Sequence, residues 1–415
     1  MRPCVVHICG VGASASNMVR QNIRRKAPLY VAFVATGVAL TIPGAALPLL
    51  LRQWAMSDAR GGLLLFCFYA VGSFGSYSAR GRMNLSIARG SLLTMAGALC
   101  LTLAGRWTAY GAIALYGLGL SLTMTSISLL LSQRFPAQRR LEMTRLNLVW
   151  AIGAALGPWA ALRSTRGRAI TQAAAILHVK HVLIGVAVFF AVTAAWAIWM
   201  EESTPLGAIT TEANAPRSAV SRRAYGALGI PWPLLILIFG ATGVEAAAGG
   251  WLTSYAQRAG DSLGITIGAA TFLWIGSLVS RMVHSTSWAA RLSERTVLGT
   301  SMAAMTAALV LLIAWPAGIA TMAAAAVLGL AAGPVYPLVV AAALRHRESS
   351  AVFVIAGVGA SILPLATGGI STWAHSLRAG LGIPLATAAV MMVVVAVSRS
   401  TLTGKGEAVT KALVG

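Results

Sequence analysis

GATGVEAAAGGWLTSYAQ, residues 240–257, holds one carboxylate in a stretch that is otherwise uncharged. The nearest flanking charges are Arg223 and Arg258, so Glu245 stands alone in apolar sequence long enough to cross a bilayer. A helix needs about 20 apolar residues to span roughly 30 Å of hydrocarbon. The same pattern recurs along the chain. It has 415 residues, 57% hydrophobic and 10% charged, with mean hydropathy +0.77. A soluble domain carries about 25% charge, so a soluble enzyme is excluded. Strand-type alternation is absent, and 43 glycines among abundant Ala and Leu suit closely packed membrane helices.

Twelve spans can be drawn. They lie near 28–51, 60–79, 86–104, 108–132, 142–162, 179–200, 229–256, 262–283, 295–315, 318–342, 351–374 and 380–398. The spans around GAALGPWAAL (153–162) and GVGASILPLATGG (357–369) contain proline and glycine, which a bundle tolerates where neighbours satisfy the freed backbone groups. The net charge of +22 would suggest nucleic acid in a soluble protein. Here the basic residues sit in short loops and acids are scarce. Basic loops kept in the cytoplasm account for the charge without a nucleic-acid partner. Placing both termini in the cytoplasm gives most Lys and Arg to the cytoplasmic loops. One loop resists: RSTRGRAITQAAAILHVK should face outward yet holds Arg163, Arg166, Arg168 and Lys180. Either it is an exposed basic loop, or spans five and six are misdrawn. The chain is therefore expected to be a multi-pass protein of the inner (plasma) membrane, with the lipid bilayer as its first partner.

The expected organisation follows. Residues 1–27 form a disordered cytoplasmic extension, with Met18 a second candidate start. Residues 28–200 form one six-helix bundle, 201–228 a cytoplasmic linker, 229–399 a second six-helix bundle and 400–415 a cytoplasmic tail. Internal repetition supports two halves. ATGV at Ala35 returns at Ala241, offset by about 206 residues. Gly72-Ser73 returns as Gly276-Ser277, and Pro158 as Pro364, at nearly the same offset. Parallel repeats flanking a midplane site are the architecture of many secondary transporters.

At this point the chain resembles the major facilitator superfamily, over about residues 28–399, and within it the fucose permease-like branch of sugar:proton symporters. The resemblance is carried by GVEAAAGGWLTSYAQ with Glu245, Gly250 and Trp251, by LNLVWAIGAALGP with Asn147, Gly153 and Gly157-Pro158, and by GVGASILPLATGG with Gly359 and Pro364. It implies twelve helices in two pseudo-symmetric six-helix bundles, a small polar and sugar-like solute, protons as coupling ion, and a monomer. Two departures limit it. The family's loop after span two reads Gly-x-x-x-Asp-Arg-x-Gly; here GSYSARGRMN keeps Gly75 and Arg80 but puts Ala79 in the acid's place and Arg82 in the glycine's. A latch built on that acid must be absent or rebuilt. The fucose permease is thought to use acids in its first and fourth spans, but TGVALTIPGAALP and YGLGLSLTMTSISLLL hold none. Fucose and those coupling residues do not carry over.

Glu245 is the leading candidate for proton coupling or substrate contact. A charge at mid-bilayer depth costs about 2.5–3.5 kcal/mol on insertion scales. No Lys, Arg or His within a span pairs with it clearly, so it is expected to exchange protons when a wet chamber reaches it. The plain alternative is a protonated glutamate that bonds two helices together. On helical spacing Ala241, Thr242, Ala248 and Gly249 share its face. Gly249 and Gly250 are candidate hinges beside it, as are Pro158 and Pro364; close packing is the plain reading of a glycine pair. Trp251, Tyr255, Trp274 and Tyr336 are candidate solute contacts, since aromatic rings offer a flat apolar face with a polar edge; interface anchoring is the alternative for Tyr255 and Trp251. Asn147 and neighbouring Trp150 are further candidates. Ser121, Thr125, Ser128 and Ser132 make a hydroxyl stripe, either a water path or hydroxyls bonded back to their own helix. Four cysteines, Cys4, Cys9, Cys67 and Cys100, have no metal or disulfide spacing. No P-loop and no metal-ligand cluster occurs, so no cofactor and no enzyme activity are expected. The alternatives are a proton-driven exporter of lipophilic cations, with Glu245 facing the drug's charge, and a non-transporting membrane sensor or scaffold.

Overall fold

In a computed structural model the chain is helical throughout the segments it describes, which are residues 11–135, 139–162, 172–202, 230–259, 263–286, 292–315, 318–346 and 351–398. The helices are α1 (Val11–Gln53), α2 (Asp58–Tyr77), α3 (Met83–Leu103), α4 (Thr108–Arg134), α5 (Arg139–Leu162), α6 (Gln172–Glu202), α7 (Trp232–Arg258), α8 (Leu263–His284), α9 (Glu294–Ala314), α10 (Gly318–Ala332), α11 (Val335–His346), α12 (Ala351–Trp373), α13 (Leu377–Gly380) and α14 (Gly382–Val397). Ten stretches among the described residues are long and apolar enough to cross a bilayer, α10–α11 and α13–α14 each contributing one. α2 and α5 fall on drawn spans but carry more polar residues.

The helices start and stop for local reasons. α7 begins behind Pro231, with Pro233 in its first turn, where a missing N–H costs nothing. Ser293 caps α9 by accepting the Thr296 N–H at 3.1 Å. α1 ends at Ala55, which takes a left-handed φ of 47°. The Met56 N–H then donates to Leu51 O at 2.9 Å. α12 ends the same way: His375 has φ 51°, and Ser376 N–H donates to Ser371 O at 3.0 Å. These are Schellman-type stops. They turn the chain sharply and bring the start of α2 beside the end of α12.

α1–α6 pack on one another, and so do α7–α14. The two groups meet along α2 with α12, α5 with α8, and α1 with α7. Helices in lipid gain little from burying apolar surface against each other, so close backbone approach does the work. At Gly153 in α5 a Cβ would collide with Val34 O of α1, and at Gly359 in α12 one would collide with Phe239 O of α7. These two crossings stand about 206 residues apart, the offset read from ATGV.

Two expectations change. The stretch foreseen as a disordered extension is helical from Val11; residues 1–10 lie outside the described residues. Residues 11–27 contain no proline, and a helix already nucleated by the apolar span propagates cheaply into them. Span six begins at Gln172 rather than 179, so Lys180 lies inside a helix; Arg163, Arg166 and Arg168 lie outside the described residues. The linker is outside them too beyond Glu202, as is the tail 400–415.

Gly153→Leu should force α1 and α5 apart. The expected loss is about 1–3 kcal/mol of stability, read as a lower melting temperature of the purified protein in detergent. An unchanged melting curve would contradict the contact.

Candidate functional site

Two polar clusters join the groups of helices. The first lies where α1 turns into α2. Asp58, the first residue of α2, is buried. Arg258, at the end of α7, grips it through Nη1 to Oδ2 at 2.6 Å and Nη2 to Oδ1 at 2.5 Å. Ser371 of α12 donates to Oδ2 at 2.5 Å, and the Ala59 N–H donates to Thr372 Oγ1 at 2.7 Å. The fork-to-carboxylate geometry is the strong form of an ion pair. It ties α2 of the first group to α7 and α12 of the second. Trp251 lies just inside it, fully buried. Its Nε1 donates to Pro364 O at 3.0 Å, and its ring edge abuts Gly61 and Gly368.

The second cluster lies midway along the helices. Glu245 is mostly buried, and it is not alone: Arg281 of α8 donates from Nη2 to Glu245 Oε1 at 3.3 Å. The guanidinium lies 5.0 Å from the centre of the Trp150 ring, a cation–π placement. Trp150 belongs to α5, so the cation bridges both groups. Trp150 and Trp274 meet edge to face, with centroids 5.6 Å apart. α8 presents Trp274, Ser277 and Arg281 on one face, by helical spacing. Beside this contact, within the second group of helices, Val244, Glu245 and Ala248 of α7, Leu273, Trp274 and Ser277 of α8, and Leu328 and Gly329 of α10 line a void with room for roughly one water molecule. Tyr69 of α2 and Tyr336 of α11 lie within electrostatic reach of Glu245. Of the ten buried side-chain polar atoms without a protein partner among the described residues, three belong to this cluster: Trp150 Nε1, Ser277 Oγ and Arg281 Nε.

Of the sequence candidates, Glu245, Trp150, Trp274 and Tyr336 come together here. Asn147 is exposed one turn from Trp150, and its Nδ2 donates to Met143 O of its own helix at 3.0 Å. Trp251 belongs to the first cluster. Tyr255 donates its hydroxyl to Leu312 O of α9, so it fastens two helices and stands apart from the void. α7 runs unbroken through Gly249 and Gly250. Gly249 makes room for the Trp274 ring and Gly250 for Leu65, a packing role. Pro158 and Pro364 also lie inside continuous helices. Half of the hydroxyl stripe turns back on its own helix: Ser128 and Ser132 bond carbonyls of α4, while Thr125 bonds Ser76 of α2.

The sequence reading missed Arg281, Ser277 and Tyr69. Arg281 sits within the drawn span 262–283, so its signal was present: a second lone charge inside an apolar stretch. Its nearness to the end of α8 made it look like an interfacial residue. A third charged cluster was also missed. Glu142 of α5, fully buried, takes bonds from Lys26 Nζ at 2.7 Å, Arg145 Nη1 at 3.3 Å and the Tyr30 hydroxyl, which fastens α5 to α1.

Residues 29–351 match the model of the Major Facilitator Superfamily. The chain belongs to that family. Its fold is shared with solved transporters at low identity. A bacterial homologue of the human lysosomal transporter Spinster, inward-facing and unoccupied, aligns at TM-score 0.65 with 14% identity, covering 91% of this chain and 96% of that one. A variant of the nucleoside transporter NupG gives 0.64 with 11% identity, covering 91% and 100%. The E. coli fucose:proton symporter FucP, also as a variant, gives 0.55 with 14% identity, covering 90% and 98%. No curated protein matches the chain. Family and fold make this a multi-pass membrane transporter rather than an enzyme.

Asp58→Asn should loosen the first cluster. In a background whose native cysteines are replaced, Leu365→Cys, which faces Gly62 of α2, should react with a membrane-impermeant maleimide about tenfold faster once Asp58 is neutralised, about 1.4 kcal/mol. Equal rates would mean the pair does not hold the helices closed.

Proposed function

We propose that this protein is a secondary active transporter that carries a small polar solute, sugar-like by resemblance, through alternating access, with Glu245 as the proton-coupling group. The observation that carries the reading is the Glu245–Arg281 pair, set against Trp150 where the two groups of helices meet. In this reading the twelve spans form two pseudo-symmetric six-helix bundles, 28–200 and 229–399, that rock about this contact. The linker 201–228 and both termini are cytoplasmic. The end carrying Lys26, Arg80, Arg134 and Arg145 then faces the cytoplasm of the plasma (inner) membrane, following the positive-inside pattern. The Asp58–Arg258–Ser371 cluster becomes the outer closure. The transporter works as a monomer, and its only other partners are protons and lipid.

Arg281 refines the coupling idea. A carboxylate held by a guanidinium has little reason to take a proton. Once the pair parts, an uncompensated buried charge costs several kcal/mol, and protonation removes that cost. Proton uptake at Glu245 is thereby tied to a change at Arg281. The pair also counts against an exporter of lipophilic cations, because the acid's charge is already matched and a cation would meet Arg281.

Reconstitution into proteoliposomes with a proton gradient tests this. With radiolabelled monosaccharides and sugar acids as probes, wild type should accumulate at least one of them. Glu245→Gln should lose accumulation against the gradient, bringing the inside-to-outside ratio to about one, while exchange continues. Gradient-driven accumulation by Glu245→Gln at the wild-type level would refute the coupling role. Flux in neither direction for any probe would favour a sensor or scaffold.

A further inference from the structure

Resting on that transport reading, we propose that the solute carries a carboxylate, which Arg281 binds together with Trp150 Nε1–H and Ser277 Oγ–H, taking the place of Glu245 at the guanidinium.

The argument is one of donors and acceptors. Buried polar groups are nearly always hydrogen-bonded, so each exception needs a reason. Here two exceptions belong to side chains in contact, Trp150 and Arg281, and a third, Ser277, lines the void beside Glu245. Trp150 Nε1 lies on a side chain only 8% exposed and Ser277 is 1% exposed; neither atom has a protein partner, nor has Arg281 Nε. Trp150 is in van der Waals and cation–π contact with Trp274 and Arg281. Ser277 lies one helical turn before Arg281 on α8. All three groups can donate, and two of them cannot accept. Glu245 answers the surplus with one oxygen at 3.3 Å, longer than the roughly 2.7–2.9 Å of a strong charge-assisted bond. The guanidinium fork is therefore underused.

A carboxylate supplies what is missing. It accepts only, it has two oxygens and about four lone-pair sites, and it matches the planar fork of arginine bidentately. A neutral sugar would bring hydroxyl donors into a site already rich in donors. A cation would face Arg281 directly. The Trp150 and Trp274 rings offer the flat apolar wall for the rest of the solute. The void beside Glu245, between α7, α8 and α10, holds roughly one water molecule, and Trp150 lies against Arg281, so a solute reaches the guanidinium only when α5 moves away from α8. Trp150 comes from one group and Arg281 from the other, so that parting separates them and re-closure on the carboxylate rejoins them. Glu245 is then released among Arg281, Tyr69 and Tyr336 and takes one proton from water, so that anion and proton move together.

The experiment uses the full-length protein purified in detergent, with thermal shift and tryptophan fluorescence titration. The probes are matched pairs: glucuronate and glucose, galacturonate and galactose, benzoate and benzamide. At least one acid should raise the melting temperature and bind at least tenfold more tightly than its neutral partner. Arg281→Gln should weaken that acid about ten- to a hundredfold, the range expected for a bond to a charged group. Trp150→Phe keeps an aromatic face but loses the pyrrole ring with its N–H, so it should weaken the acid about three- to tenfold more than it weakens the neutral partner, which reads the packing loss alone. Neutral partners that bind as tightly as the acids, acids that bind Arg281→Gln and Trp150→Phe as they bind wild type, or no binding by any acid would each overturn the proposal. If Arg281→Gln does not fold, the matched pairs and Trp150→Phe decide. Flux separates the two readings. Arg281-dependent binding of an acid without flux sinks the transport reading and leaves this one. Accumulation of a neutral sugar that Arg281→Gln leaves intact does the reverse.

Discussion

A charge taken out of water must be met by an opposite charge, and in this protein that requirement decides which helices touch. Glu142, Asp58 and Glu245 each sit at the meeting of two or more helices. Glu142 joins α5 to α1 within the first group. Asp58 joins α2 to α7 and α12 across the groups. Glu245 joins α7 to α8, and its partner Arg281 reaches on to Trp150 of α5. With only 10 acids against 32 Lys and Arg in the chain, each buried carboxylate is a scarce anchor.

Between the anchors, contact is made by small residues. The crossings at Gly153 and Gly359 let backbones meet with no side chain between them. They recur at the spacing of the ATGV repeat, so the two groups use the same device in the same place. The same device serves where the groups meet one another. Gly44 of α1 lies against Gly249 and Gly250 of α7, and beyond this contact the Asp58 cluster clamps the end. Large side chains pack across the same contact: Trp150 of α5 on Trp274 and Arg281 of α8, and Leu65 of α2 on Gly250 of α7.

The same rule of pairing gives the candidate site its character. Glu245 read by itself suggests an acid waiting for a proton. In the structure it is paired with Arg281, a cation with a bond to spare. The loop after span two has lost the acid that the family pattern leads one to expect, and Ala79 in its place is buried. The closure described here is instead built at the other end of α2, on Asp58.

The sequence by itself determined the membrane-spanning character, the places where most of the helices lie and the repeat, and it singled out Glu245 as a lone charge in an apolar helix. These follow from local properties: run length, hydropathy, proline and glycine, and a lone charge whose cost is fixed by the lipid around it. Even the errors were local, such as the late start given to α6. What only the tertiary structure decided was which side chains meet. Arg281 lies 36 residues from Glu245 and Arg258 lies 200 from Asp58. Trp251, next to Glu245 in the quoted stretch, turns away from it to bond Pro364, while Trp150 approaches from a different group of helices. Periodicity gives the face a residue occupies on its own helix. Which neighbour that face touches depends on how the helices are arranged in three dimensions, and no local property of the chain encodes that.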